Sequence, residues 1–261
     1  RIQGTPQEGL RIEHSNLNWD DNDLALEGVL QPQKDGSTLL ELKILANSLD
    51  WSRIHAQLAP LTELWTRASG SSSQAAAIEG QISIRIADFR YQDRIFSPLH
   101  LTWSLAADEP ENVHILEQTQ LCGISLPGKI TIQPDHTQFT IAPSCKDLQL
   151  SPTLACLIPD QDMATGTLDL QGHVQGTAPR GRDLTSNLNG SLNFTITDGR
   201  LLRFSLLAKL IEVLNSTEIL FGSLPDLENE GIRFSSLQGT AVFEGSRIII
   251  EKGIVHGHSL E

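Results

Sequence analysis

The chain has 261 residues and a formal net charge of −13, with 39% hydrophobic and 20% charged residues. This length and composition predict a folded protein with its own core. The acidic balance argues against a nucleic-acid partner, because phosphate backbones are bound by basic patches. No apolar run approaches the roughly 20 residues that cross a bilayer as a helix. Residues 1–6 contain neither an initiator Met nor a signal-peptide core, which is typical of a piece of a longer protein.

Short runs of alternating apolar and polar residues recur along the chain, separated by turn residues. Five of the runs open on a glycine, which supplies backbone freedom where a turn ends. Evenly spaced runs of this kind predict a mainly β protein with a mostly antiparallel sheet. The predicted strands are Leu10–His14, Leu24–Leu30, Thr38–Leu45, Gly80–Ile86, Leu99–Leu105, Val113–Leu121, Gly128–Ile132, Gln138–Ala142, Gly166–Leu170, Gly190–Ile196, Gly239–Phe243 and Arg247–Val255.

Two segments have the period of a helix instead. Asp50–Ala59 begins at a good N-cap residue and is limited by Pro60. Leu206–Leu214 has an apolar stripe at helical spacing. The second helix packs against the sheet as core, lines a groove, or does both. The residues of its stripe are Leu207, Leu210, Ile211 and Leu214.

A sheet of many strands twists and curls instead of staying flat. We therefore expect a long, twisted sheet that curls into an open groove with two short helices. A closed barrel and a two-sheet sandwich fit the same alternation. The expected organisation is one elongated fragment over 1–261, with strands and a helix at 1–67, a flexible Ser-rich loop at 68–77, strands at 78–158, and a final segment at 159–261 that contains the helix 206–214.

Patterns that carry catalysis or metal binding are weak in this sequence. It has no Gly-x-Ser-x-Gly nucleophile turn. His256 and His258 have no evident third ligand, and the acidic run 20–23 lacks the spacing of a calcium loop. We interpret the first as an exposed strand end and the second as a turn. We therefore expect no enzyme activity, no cofactor and no metal.

The three cysteines lack the CxxC spacing of a zinc site. Two of them form a disulfide if the compartment is oxidising, which leaves one thiol spare. The alternative is three buried thiols in a reducing compartment. The cysteines are Cys122, Cys145 and Cys156.

The last quarter of the chain resembles a known family. The run 198–215, which reads Asp-Gly-Arg-Leu-Leu-Arg-Phe-Ser-Leu-Leu-Ala-Lys-Leu-Ile-Glu-Val-Leu-Asn, is followed by Leu224–Leu227, Gly231–Phe234 and Leu237–Thr240. In this order the segments are similar to the C-terminal region of AsmA-like proteins, the family that has TamB and YhdP as relatives. Upstream, Ser48–Ile54, Phe96–Leu99 and Leu121–Ile124 resemble the repeating strand units of larger members.

The resemblance implies a cell-envelope protein of diderm bacteria whose bulk lies in the periplasm, anchored to the inner membrane by a segment absent from this sequence. It implies a β-groove that holds or conducts phospholipid acyl chains between the inner and outer membranes without covalent chemistry. The alternative is a scaffold for outer-membrane protein assembly, whose strand edges pair with envelope proteins.

The resemblance also suggests individual residues. An oxidising periplasm favours a disulfide between Cys122 and Cys156, which lie in motif-like contexts, with Cys145 as the competitor. The groove candidates are equally candidates for ordinary core packing, and the sequence leaves that choice open. They are Phe194, Leu207, Leu210, Leu214, Phe234 and Phe243.

Overall fold

The computed structural model describes residues 2–5, 9–19, 22–51, 78–91, 94–105, 112–133, 135–158, 164–179, 187–202 and 232–257. These residues form a mixed, mostly antiparallel sheet and one helix, so the prediction of a mainly β protein is confirmed. The curl of the sheet into a groove stays a prediction. Of the helix predicted at 50–59, only Asp50 and Trp51 are described; the helix at 206–214 and the loop at 68–77 lie outside the described residues.

The described part of the chain contains seventeen strands, β1 to β17, and the helix α1. It divides into a first unit, Arg1–Leu121 with Pro127–Thr137, and a second unit, Cys122–Leu126 with Gln138–Glu261. In chain order the elements are β1 Ile2–Thr5, β2 Gly9–Trp19, β3 Asn22–Pro32, β4 Thr38–Asp50, β5 Ile78–Tyr91, β6 Arg94–Phe96, β7 Leu99–Leu105, β8 Asn112–Leu116, β9 Gln120–Leu121, β10 Ile124–Ser125, β11 Gly128–Ile132, β12 His136–Ile141, β13 Ser144–Gln149, α1 Leu150–Leu157, β14 Ala164–Pro179, β15 Leu188–Leu201, β16 Ile232–Gly245 and β17 Arg247–His256.

The first unit consists of two sets of antiparallel strands joined by one parallel pair. Strands β1 to β4 pair antiparallel in chain order. Strand β4 then pairs in parallel with β5, and β5 continues antiparallel through β7 and β8 to β11. A parallel pair needs a connection of a dozen or more residues, and residues 52–77 supply it.

The prediction of one continuous strand over Val113–Leu121 is wrong. Strand β8 ends at Leu116 and β9 begins at Gln120. Between them the side chain of Thr119 is almost completely buried, and its hydroxyl donates to the carbonyl oxygen of His100 at 3.2 Å. This tertiary hydrogen bond satisfies a backbone carbonyl group at the bend between the two strands. The alternation of apolar and polar residues does not reveal such a bend.

The second unit is a run of antiparallel neighbours from β13 to β17. Its core lies on one side of this sheet, where α1 packs against β14. Phe234 is 0% exposed at the centre of the cluster. The buried members are Leu150, Ala164, Leu168, Ile196, Leu201, Phe234 and Leu237.

The expectation of strands alone over 78–158 is wrong at α1. The helix places Leu150, Leu154 and Leu157 at i, i+4 and i+7, and the first two join the core cluster. Pro152 lies in its first turn, where the missing N–H has no helical partner to lose. Eight residues are too few for a clear helical period, and Gln149 forms no side-chain cap, so the sequence carries no strong start signal.

Gly80 and Gly190, which open two of the predicted strands, meet a backbone requirement. Gly80 has φ +135° and Gly190 has φ +140°, a region that other residues rarely enter. A Cβ atom at Gly80 would overlap the carbonyl oxygen of Leu40, and one at Gly190 would overlap that of His173. Both positions therefore combine an unusual conformation with close approach of the neighbouring strand.

Candidate apolar binding surface

The groove residues predicted from the sequence fall into two groups. Phe194 and Phe234 belong to the core cluster of the second unit, where Phe194 is half-buried. Phe243 is half-buried on β16 and pairs with Ile248 of β17. Phe234 has no exposed surface, so it acts as core, the alternative that the sequence left open. The remaining three, Leu207, Leu210 and Leu214, lie outside the described residues.

Phe194 and Phe234 each lie over a glycine of the neighbouring strand. Phe194 of β15 pairs with Gly239 of β16, and Phe234 of β16 pairs with Gly199 of β15. A Cβ atom at either glycine would overlap the facing ring. Both rings are therefore closely packed against backbone, which limits their freedom to move aside for a ligand.

A second apolar surface, which residue patterns within single strands did not single out, lies in the first unit. Directly paired residues of neighbouring strands share one face of a sheet. Leu42 of β4 pairs with Gly28 of β3 and Ile82 of β5. Ile82 pairs with Trp103 of β7, and Trp103 pairs with His114 of β8. The next row on this face contains Leu26, Ile44, Ile84, Leu101 and Leu116.

We call this surface the first-unit apolar face. All but two of its apolar side chains are only half-buried; the exceptions are Leu24 at 8% exposed and Ile86 at 3%. A covered sheet face in a two-layer domain buries such side chains fully. The face comprises Leu10, Ile12, Leu24, Leu26, Leu30, Leu40, Leu42, Ile44, Ala46, Ile82, Ile84, Ile86, Leu99, Leu101, Trp103, Leu105, Leu116, Ile130 and Ile132.

The opposite side of the same strands is mostly polar, although Val29, Leu39 and Leu45 also lie on it. Glu41 and Lys43 flank Leu42 on β4 and are exposed. Lys43 pairs with Glu27 of β3, which sets opposite charges directly across the ladder. Gln81 and Arg85 continue this polar side on β5. The sheet of the first unit therefore has one wetted face and one apolar face, and the apolar face extends over seven strands.

His114 is the one ionisable side chain within the rows of the first-unit apolar face described above. Its ring stacks on that of Trp103, with centroids 5.0 Å apart and an interplanar angle of 26°. Its Nε2 atom is buried and has no hydrogen-bond partner within the described part of the chain. Burial lowers the pKa of the imidazole below its ordinary value of 6.5, because the charged form loses solvation. Its register partners, Trp103 and Ile130, are uncharged and offer no counter-ion.

We expect His114 to make the first unit less stable in acid. A base with a depressed pKa is neutral when folded, so its contribution to stability is present above about pH 6.5. It is lost as the pH falls through the lower, folded-state pKa, because only the unfolded chain takes up the proton readily. Urea unfolding of the wild type and of His114→Phe at pH 7.5 and pH 5 measures this.

His114→Phe is the control for this prediction, because it retains every other titratable side chain of the wild type. The wild type should therefore lose more stability between the two pH values than His114→Phe does. Equal losses in the two proteins would show that His114 titrates as it does in the unfolded chain.

Cys122 and Cys156 form a disulfide in the structure, the pairing that the family resemblance implied. Their Cα atoms are 5.7 Å apart, and the two residues are 34 positions apart in the sequence. The bond ties α1 to the segment before β10. Cys145 is free and half-buried, with its Sγ 3.7 Å from the carbonyl oxygen of Leu168. Burial raises the pKa of this thiol, which keeps it protonated and slow to attack the disulfide.

No helix in the described residues is long and apolar enough to cross a membrane. The same residues contain no group of three or more His, Cys, Asp or Glu side chains placed to hold a metal ion.

The chain matches no family model, no curated protein and no solved structure.

Proposed function

We propose that the first unit holds lipid acyl chains against its apolar face, as a non-enzymatic part of an AsmA-like envelope protein. The observation that carries this proposal is that the apolar side chains on that face, apart from Leu24 and Ile86, are only half-buried. Fully burying one Leu or Ile contributes roughly 1.5–3 kcal/mol relative to exposure. An apolar occupant would complete that burial, so such a face favours one.

The mechanism needs no bond making. Acyl chains replace water along the apolar face, and the hydrophobic effect supplies a driving force that is non-directional. Because such contacts lack directional hydrogen bonds, a chain slides along aliphatic side chains without breaking specific interactions. The polar side of the strands, with Glu41, Lys43 and Arg85, stays in water. A lipid headgroup is expected to remain solvated at the margin of the face.

The disulfide supports a place outside the cytosol. Disulfides persist in oxidising compartments such as the bacterial periplasm and are rare in reducing ones. The bond between Cys122 and Cys156 therefore fits the periplasmic location that the family resemblance implies. Anchoring to the inner membrane and passage of lipid between the two membranes are the further parts of this proposal.

Neighbouring residues on β4 provide a matched test. Leu42 lies on the apolar face and Lys43 on the polar face, one residue apart. A photoreactive amino acid at Leu42 should capture a clickable phospholipid several-fold more than the same group at Lys43. The substitution Leu42→Asp should lower co-purifying phospholipid by roughly tenfold, since a carboxylate among acyl chains costs more than the ~1.4 kcal/mol that a tenfold change represents. Lys43→Asp should leave it unchanged.

A second candidate function, a scaffold for envelope proteins, is favoured by β17. This strand is the last of the antiparallel run and carries large apolar side chains that are exposed: Ile248 at 66%, Ile249 at 40%, Ile254 at 54% and Val255 at 38%. Exposed apolar strands of this kind pair readily with other chains.

The same photocrosslinking experiment separates the two functions. A probe at Ile254 that captures protein, together with a probe at Leu42 that captures no lipid, would support the scaffold and contradict acyl-chain binding. Equal lipid capture at Leu42 and Lys43 would also contradict the proposal, because it would show contact without preference for the apolar face.

A further inference from the structure

Two arginines face each other directly on the second unit. Arg200 of β15 pairs with Arg233 of β16, and Arg200 also pairs with Thr165 of β14. Their chain neighbours Leu201 and Phe234 are buried in the core. Because side chains alternate along a strand, the arginines lie on the other side of the sheet, where Arg200 is half-buried and Arg233 is exposed.

This arrangement is unfavourable by itself. Like charges directly opposite each other on neighbouring strands destabilise the pair. No carboxylate oxygen of the described residues lies within 4.0 Å of either guanidinium. The whole chain has a net charge of −13, so acidic side chains are plentiful. Among the described residues, none forms an ion pair with either arginine. The repulsion would be removed by an anion bound between the two side chains.

The two arginines line a cavity of about 440 Å³. Thr165 adds a hydroxyl to its wall, and Leu202 adds an apolar side chain that is 37% exposed. Asp198 also lines it and would oppose an anion with its carboxylate. This residue has φ +50°, a left-handed conformation in which Asp and Asn are the residues most often tolerated.

We propose that this cavity binds a phosphate group, held by Arg200 and Arg233 with the Thr165 hydroxyl as a further donor. The planar guanidinium presents paired N–H groups that match phosphate oxygens, and such charge-assisted hydrogen bonds are the strong ones. The phosphate belongs either to a lipid headgroup or to a small soluble molecule. The site stands independently of acyl-chain binding, because every residue that carries it lies in the second unit.

The first test measures the melting temperature with inorganic phosphate. About 20 mM phosphate, compared with chloride at equal ionic strength, should raise the melting temperature of the wild type by about 2–4 °C. Arg200→Gln and Arg233→Gln should each abolish this rise. Both variants should melt no lower than the wild type without phosphate, because each removes the like-charge contact. A loss of response therefore does not reflect a failure to fold.

Two other variants sharpen the result. Arg247→Gln, in β17 and outside the cavity lining, should keep the full response to phosphate. Asp198→Asn should increase the response, because it removes the opposing charge and keeps a side chain that tolerates the same backbone conformation. No rise in the wild type, or an equal rise in Arg233→Gln and Arg247→Gln, would overturn the proposal.

Vesicle flotation identifies the source of the phosphate. Vesicles of phosphatidylcholine with phosphatidic acid are compared with phosphatidylcholine alone, for the wild type and for Arg233→Gln. An acidic protein has no general attraction to anionic vesicles. Flotation with phosphatidic acid that is lost in Arg233→Gln would support the site with a lipid headgroup as its ligand. A phosphate-dependent rise without flotation would support the site with a soluble phosphate compound.

Discussion

Replacing Cys122 and Cys156 together with serine should lower the free energy of unfolding by about 4 kcal/mol. The disulfide closes a long loop, since its cysteines are 34 residues apart, and its removal restores conformational freedom to the unfolded chain. The bond also fixes α1, whose Leu150 and Leu154 pack on the core of the second unit. Loss of the bond therefore removes a covalent restraint from a helix of only eight residues, too short to be stable alone.

Urea unfolding under non-reducing conditions measures this effect, and Cys145→Ser is its matched control. Cys145 is free and half-buried, so its replacement should change the unfolding free energy by less than about 1 kcal/mol. A reducing agent should destabilise the wild type and Cys145→Ser alike, and should not change the double variant. An unchanged unfolding midpoint of the wild type after complete reduction would contradict the prediction.

Phe234→Ala should lower the free energy of unfolding by about 3–5 kcal/mol. Phe234 is 0% exposed and its ring covers Gly199 of the neighbouring strand. Truncation leaves a cavity between the two strands that glycine has no side chain to fill. Denaturant unfolding followed by circular dichroism measures the loss.

Phe243→Ala provides the comparison for this prediction. Phe243 is half-buried on the same strand, so truncation there should have about half the effect or less. Lipid capture at Leu42, in the other unit, should be unchanged by Phe234→Ala while the protein stays folded. Similar losses of stability at Phe234 and Phe243 would show that Phe234 is not the centre of this core.

Much of the strand content could be predicted because it depends on local alternation. The bounds of β7 at Leu99–Leu105 and β11 at Gly128–Ile132 coincide with the predicted strands. The pairing of strands could not be predicted. Nothing in the sequence of β4 indicates that its neighbour on one side is the parallel strand β5. The helix α1 was missed because its start depends on tertiary packing of Leu150 and not on a capping side chain.

The candidate site could not be predicted from the sequence either, because it depends on which strands pair and in which register. Leu42, Ile82 and Trp103 belong to three predicted strands, but only the register places them in one row. Aromatic residues near the family motifs drew attention to the second unit, where Phe234 is core. The consistent alternation of several predicted strands was the signal that could have pointed to the first unit. The opposed arginines, Arg200 and Arg233, were likewise invisible without the register.

The parallel ladder between β4 and β5 has a consequence for the order of folding. All other ladders of the first-unit apolar face join strands that are close in the chain, whereas this ladder joins strands on either side of residues 52–77. Closing a long loop is entropically costly and slow, so pairings between distant residues limit folding rates. Until this ladder forms, the two sets of antiparallel strands each present a separate apolar face to water. The first-unit apolar face is therefore completed by the slowest contact, and we expect the newly made chain to be most exposed to aggregation just before that step.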